Sequence, residues 1–203
     1  EEIQWKKRLA FDQYDGLCFY GDLSYKDTGD YKAMILVGKK MREFHVLAAY
    51  VRKTSRMNVA KWLYDFVEQN SLLSFNCRYK IEGLFAQDEF VNDFDIEGDE
   101  RGWYIPVTPD KKSKDGKFDR IESMQGYFQR GNVWFNEDYK GSTDFQNLED
   151  QLLAFEKGSG AHDDAPDALQ SAIVAVNQIT FVTKFEPKAT SRKELIKNKK
   201  NRF

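Results

Sequence analysis

Leu17-Cys18-Phe19-Tyr20-Gly21-Asp22 is the stretch on which the fold turns. Its unbroken apolar run, bounded by Gly16 and Gly21, predicts a fully buried strand with an acid, Asp22, at its C-terminal end. Downstream, Tyr31 to Val37 predicts a second strand, Gly38-Lys39-Lys40 a hairpin turn, and Glu43 to Val51 a third strand. Strands this closely spaced form an antiparallel meander.

The period then changes. After Asn58, read as an N-cap, Val59, Trp62, Leu63, Phe66 and Val67 are spaced to place one apolar stripe on a helix that ends at Asn70-Ser71. Cys77 to Ile81 predicts a fourth strand with Glu82 just past it, and the intervening helix allows that strand to lie parallel to the first. The polar, turn-rich segment 87–116 reads as an insertion or loop region, with an extended Trp103 to Val107 and room for a hairpin. Helical spacing returns at Phe118, Ile121, Met124 and Phe128, closed by Gly131, before a short strand at Val133-Trp134-Phe135. Two further helices are expected, from about Thr143 to Phe155 and from about Asp163 through Val176. Three antiparallel strands followed by alternating helices and strands is the layout of an α/β, RNase H-like fold, a mixed central sheet flanked by helices.

In this layout Asp22 and Glu82 emerge at one edge of the sheet, and Asp163-Asp164 open the last helix, which needs only to pack across that edge. Clustered carboxylates repel unless cations bind among them, and hard ions such as Mg²⁺ or Mn²⁺ prefer an all-oxygen site. Two such ions can clamp a phosphodiester and activate water without a His, Cys or Ser nucleophile. Taken singly, each acid has a plainer reading: a Gly-Asp turn at Asp22, a solvated strand end at Glu82, an N-cap or first-turn acid at Asp163 or Asp164. The combination with the strand order carries the argument.

Bulk properties exclude several classes. With 41% hydrophobic and 15% aromatic residues among 203, the chain is globular and not disordered. A net charge of -2 argues against a basic nucleic-acid coat, so any DNA contact must come from a local patch. Cys18 and Cys77 are too few for a disulfide framework or a zinc site and indicate a reducing compartment. No apolar run approaches the roughly 18 residues of a membrane span.

The motifs also carry a family resemblance. Ala161-His162-Asp163-Asp164-Ala165-Pro166-Asp167-Ala168-Leu169 resembles the HDDAxDAL signature near the end of phage terminase large subunits. Asp119-Arg120-Ile121-Glu122-Ser123 through Gly131-Asn132-Val133-Trp134-Phe135 is similar to that family's RI-x-S and G-x-V-x-F stretch, and Leu148 to Leu152 to its L-x-x-Q-L helix. Gly21-Asp22-Leu23-Ser24 with Thr28-Gly29-Asp30-Tyr31 is similar to its opening, and Ile81 to Gln87 to its IE-x-N-x-x-Q segment. Here Gly83-Leu84 replace the family's Asn, and Asp88 and Glu89 lie close enough to compete with Glu82; Leu23-Ser24 stand where a Pro is usual.

The resemblance implies an RNase H-like nuclease domain, here residues 1–187 with the polar 87–116 insertion, while Lys188, Arg192, Lys193, Lys197, Lys199, Lys200 and Arg202 against Glu194 read as a basic, flexible tail over 188–203. It implies a divalent-metal-dependent endonuclease cutting double-stranded concatemeric DNA during genome packaging. Catalysis would rest on Asp22, Glu82 and Asp163 with two Mg²⁺ or Mn²⁺ ions, and Asp164 would be a further metal ligand. Asp167 and His162 rank lower; Lys26, Arg120 and Arg130 are candidate DNA contacts. Implied partners are DNA, the portal, the small terminase subunit and an N-terminal ATPase expected ahead of Glu1, since the chain has no G-x-x-x-x-G-K-[ST] loop. Implied location is the cytoplasm of the bacterial host, outside the mature virion. Two other readings stand beside this one: a resolvase-like nuclease on the same fold, and a catalytically weak docking module for the portal or small subunit.

Overall fold

The computed structural model describes residues 3–23, 30–83, 87–110, 116–156, 158, 160 and 162–179. At its centre is a seven-stranded sheet in the order β1-β7-β4-β3-β2-β5-β6. Strands β2 (Gly16–Leu23), β3 (Tyr31–Lys40) and β4 (Glu43–Lys53) form the expected antiparallel meander. Strand β5 (Cys77–Glu82) lies parallel to β2, delivered there by the crossover helix α1 (Arg56–Gln69). Beyond it β6 (Val107–Asp110) pairs parallel with β5. On the other side β7 (Val133–Asn136) lies parallel to β4, and β1 (Gln4–Lys6) parallel to β7.

Because the central strands are buried on both faces, alternate residues feed two separate cores. Cys18 and Tyr20 of β2, with Ala33, Ile35 and Val37 of β3, pack under α3 (Lys117–Ser123), α5 (Thr143–Ala154) and α6 (Asp164–Asn177). Leu17, Phe19, Met34 and Leu36 face the opposite way, toward α1 and α2 (Gln87–Arg101). None of these helices is long and apolar enough to cross a membrane.

Several local expectations need correction. The hairpin turns at Met41-Arg42, with Met41 at φ 53, and not at Gly38 to Lys40, which are the last residues of β3. Gly38 serves close approach inside the strand, since a Cβ there would lie 2.7 Å from the Tyr14 ring. Ser55, not Asn58, caps α1: its side chain accepts the Asn58 backbone N–H. The single helix expected over Phe118 to Phe128 is two, α3 and α4 (Gln125–Gln129), because Met124 and Tyr127 bond back three residues and break the α-helical register. The loop-rich reading of 87–116 gives way to helix α2 and strand β6. Residues 188–203 lie outside the described residues.

The free half of β4 is sealed by side chains. β7 pairs only with Phe44 to Val46, so the far edge at Val51 has no strand beside it among the described residues. Asp144 of α5 accepts the Val51 N–H at 3.0 Å and the Arg52 guanidinium at 2.6 and 2.8 Å, while Asn147 donates to the Val51 carbonyl. Replacing Asp144 by Ala leaves the buried Val51 N–H without its acceptor and is expected to cost about 2 kcal/mol. Urea unfolding checks this; a midpoint equal to wild type would show that α5 does not hold β4 this way.

Candidate metal centre

The strand parity that builds the cores also aims the acids. Asp22 follows Cys18 and Tyr20 on the face of β2 that looks toward α6. On β5, Tyr79 and Ile81 fill the opposite core, so Glu82 points to the same side as Asp22. Gly21 pairs with Ile81 one residue earlier, which brings the two acids side by side at the C-terminal ends of parallel strands. A Cβ on Gly21 would stand 2.8 Å from Met34 Cε, so a bulkier residue there would make the Met34 side chain turn aside.

Helix α6 crosses above them. Asp167 lies one turn inside the helix, its backbone N–H bonded to the Asp163 carbonyl, and is completely buried against the sheet. Among the described residues, Asp22, Glu82 and Asp167 form a group in which one carboxylate oxygen from each lies within 4.8 Å of the other two. Asp163 and Asp164 are not members of that group. Asp163 stands at the N-cap position with its side chain turned to Lys117, its Oδ1 2.9 Å from Nζ. The reading from sequence ranked Asp163 ahead of Asp167; the structure brings Asp167 to Asp22 and Glu82. The reason is helical geometry: the fourth residue after Asp163 returns to the same side one turn deeper.

The electrostatics follow. Asp22 is only 14% exposed, and its carboxyl is pushed up to about 8, first by burial and then by the neighbouring Glu82. Lys117 works against that rise, while Asp164 and Asp167 add to it. Asp164 is raised too, first by burial, with Lys117 opposing and Asp163 adding. Arg120, one turn after Lys117 on α3, places Nη2 3.4 Å from both oxygens of Asp167. His162 is exposed and meets the Tyr31 ring edge-on at 4.8 Å between centroids. Arg130 lies over the Tyr127 ring at the end of α4. Lys26 falls outside the described residues, as do the side chains of Asp88 and Glu89.

Four nearby residues were not singled out from sequence. Asp110 ends β6 beside Glu82, where its carboxylate accepts from the Tyr20 hydroxyl at 3.0 Å and from Lys80 at 3.5 Å. Tyr20 therefore walls the cluster on the β6 side. Gln151, the Gln of the L-x-x-Q-L stretch, accepts the buried Ala165 N–H and seats the first turn of α6. Lys117 sits among the acids themselves, and its three-residue spacing from Arg120 on one helix face was the available signal.

The donor set suits a hard cation: three carboxylates, no sulfur and no imidazole. Ligands on an octahedral ion with bonds of about 2.1 Å stand about 3 to 4 Å apart, so oxygens spread over 4.8 Å need only small side-chain rotations. Acidic residues so close together and so far out of water call for positive charge.

No protein-family model matches the sequence, and no curated protein matches it. Solved structures do match the fold. The human cytomegalovirus terminase nuclease domain superposes with a TM-score of 0.62 at 17% identity, covering 85% of this chain and 89% of that one. The large terminase nuclease domain from the bacteriophage SPP1 with bound Mn gives 0.53 at 15% identity, covering 86% and 97%. The large terminase of bacteriophage HK97 gives 0.57 at 10% identity, covering 85% of this chain and 41% of that one. The chain has the RNase H-like fold of these terminase nuclease domains.

Proposed function

We propose that this chain is a divalent-metal-dependent endonuclease that cuts double-stranded concatemeric DNA during genome packaging. The observation that carries the reading is the convergence of Asp22, Glu82 and Asp167 within 4.8 Å on a terminase nuclease fold. A structural neighbour from SPP1 holds Mn, and the cytomegalovirus domain has been soaked with it. A pair of Mg²⁺ or Mn²⁺ ions held among these acids would supply an activated water and neutralise charge on the departing oxygen.

The chain's own residues do the rest. Asp22, Glu82 and Asp167 would hold the ion, with Asp164 a further ligand at the mouth of α6 and Asp163 engaged by Lys117. Arg120 and Lys117 stand beside the anionic cluster and offset its charge. Arg130 and Lys26 are proposed backbone contacts farther along the DNA. His162, exposed against Tyr31, is not needed as a base when a metal acidifies the water. In a fuller protein an ATPase would precede this domain, as the chain spans about 40% of the large terminases of HK97 and of a thermophilic bacteriophage. The portal and the small terminase subunit are the proposed partners there, inside the host cell.

Supercoiled plasmid tests this. The wild-type chain is expected to nick or linearise it in Mn²⁺ or Mg²⁺ and to stop in chelator. Asp22→Asn should lower the rate by at least about a hundredfold, since even the partners of metal ligands are worth about 10- to 100-fold. Folded wild-type protein that leaves plasmid intact in both metals would favour the docking module; equal cutting by Asp22→Asn would put the site elsewhere.

A further inference from the structure

Lys117 is the first residue of α3, and its side chain is about one-third exposed. Its Nζ lies 3.6 Å from Asp22 Oδ2, 3.7 Å from Asp167 Oδ2 and 2.9 Å from Asp163 Oδ1. Two of those three acids, Asp22 and Asp167, belong to the group that could hold a metal ion. The ammonium and a divalent ion thus draw on the same two carboxylates. They cannot share them without two like charges in close contact, in a place where burial weakens screening. Asp163 is different: it lies outside the group, is 39% exposed and makes the shortest of the three contacts to Lys117.

We propose that Lys117 is the internal counter-ion of the carboxylate cluster and competes with the divalent cation for Asp22 and Asp167, withdrawing onto Asp163 when the ion loads. The inference rests on the metal-centre reading above. Lys117 holds the acids together when no ion is bound, at the expense of ion affinity. Arg120 approaches from the next turn of α3, with its Nη2 3.4 Å from both oxygens of Asp167, and meets the ion at that one acid, whereas Lys117 meets it at two.

Mn²⁺ titration by calorimetry, on the wild type, Lys117→Gln and Asp167→Asn, separates the possibilities. Lys117→Gln is expected to bind Mn²⁺ about tenfold more tightly, within the usual range of coupling between two sites. Asp167→Asn should bind it far more weakly. Unchanged or weaker binding by Lys117→Gln, with binding lost in Asp167→Asn, overturns the counter-ion role and leaves the metal centre standing. Full binding by Asp167→Asn overturns the metal centre itself. If the wild type shows no binding, a gain in Lys117→Gln still supports the proposal, and silence in both overturns it with the reading it rests on. Should Lys117→Gln fail to fold, amine acylation of wild-type protein followed by mass spectrometry decides. Labelling of Lys117 should rise severalfold on adding Mn²⁺, and an unchanged or reduced rate contradicts the proposal.

Discussion

Asp167→Asn is expected to lower metal-dependent DNA cutting by at least about a hundredfold, whereas Asp163→Asn should lower it by about tenfold or less. Both acids lie in the same His-Asp-Asp-Ala-Pro-Asp stretch, so their ranking depends on geometry. Asp167 is completely buried and has an oxygen within 4.8 Å of one oxygen each of Asp22 and Glu82. Asp163 is partly in solvent and already paired with Lys117. The Asn replacement keeps side-chain size and leaves α6 packed, while removing the charge that an ion needs. Plasmid cleavage rates, measured on variants whose circular dichroism matches wild type, give the comparison. Equal losses in the two variants would mean that both acids share the ion and that the depth of Asp167 is immaterial.

The second large effect is on stability and runs opposite to activity. In metal-free protein Asp22→Asn is expected to be more stable than wild type at pH 8 by several kcal/mol, with the gap closing toward pH 5. The sign follows from the shift. The folded-state carboxyl is raised from 3.8 to about 8, so between those values the native state binds more protons than the unfolded chain. Wild-type stability therefore falls as pH rises through that window and levels off above about 8. Asn has no charge to desolvate and escapes the loss. Urea unfolding of both proteins in chelator at pH 5 and 8 measures it. A variant no more stable than wild type at pH 8 would show that Asp22 is ionised without strain, and that Lys117 alone balances it. Adding Mn²⁺ should stabilise wild type and not the variant, because an ion bound only to the native state adds to its stability.

Much of this arrangement was legible in the residues. The run from Leu17 to Tyr20 and the aliphatic third strand are too apolar to be anything but central, and the stripe from Val59 to Val67 fixed the crossover that makes β5 parallel to β2. Asp22 and Glu82 could then be placed at one edge, because each ends one of two adjacent parallel strands. What stayed hidden has physical causes. Strand β6 carries Pro109, which argues against a central strand; it is tolerated because β6 is an edge strand. Helix α2 turns Val91, Phe94, Glu97 and Gly98 inward, and a buried Glu and Gly erase its apolar stripe. Strand β1 is three residues long and is held by Trp5 against Phe135 and Phe145, contacts made across the chain. Asp163 and Asp167 both fit a helix start, and only the depth at which α6 crosses the sheet tells them apart. Lys117 resembles any solvated lysine until α3 is docked beside α6.

Anomalous scattering from a crystal of the wild-type chain grown or soaked with Mn²⁺ would show whether Asp22, Glu82 and Asp167 hold the ion. A peak in contact with carboxylate oxygens of all three residues is the predicted result. A peak held by Asp163 and Asp164 away from Asp167, or no peak between β2, β5 and α6 in well-ordered crystals, would contradict it.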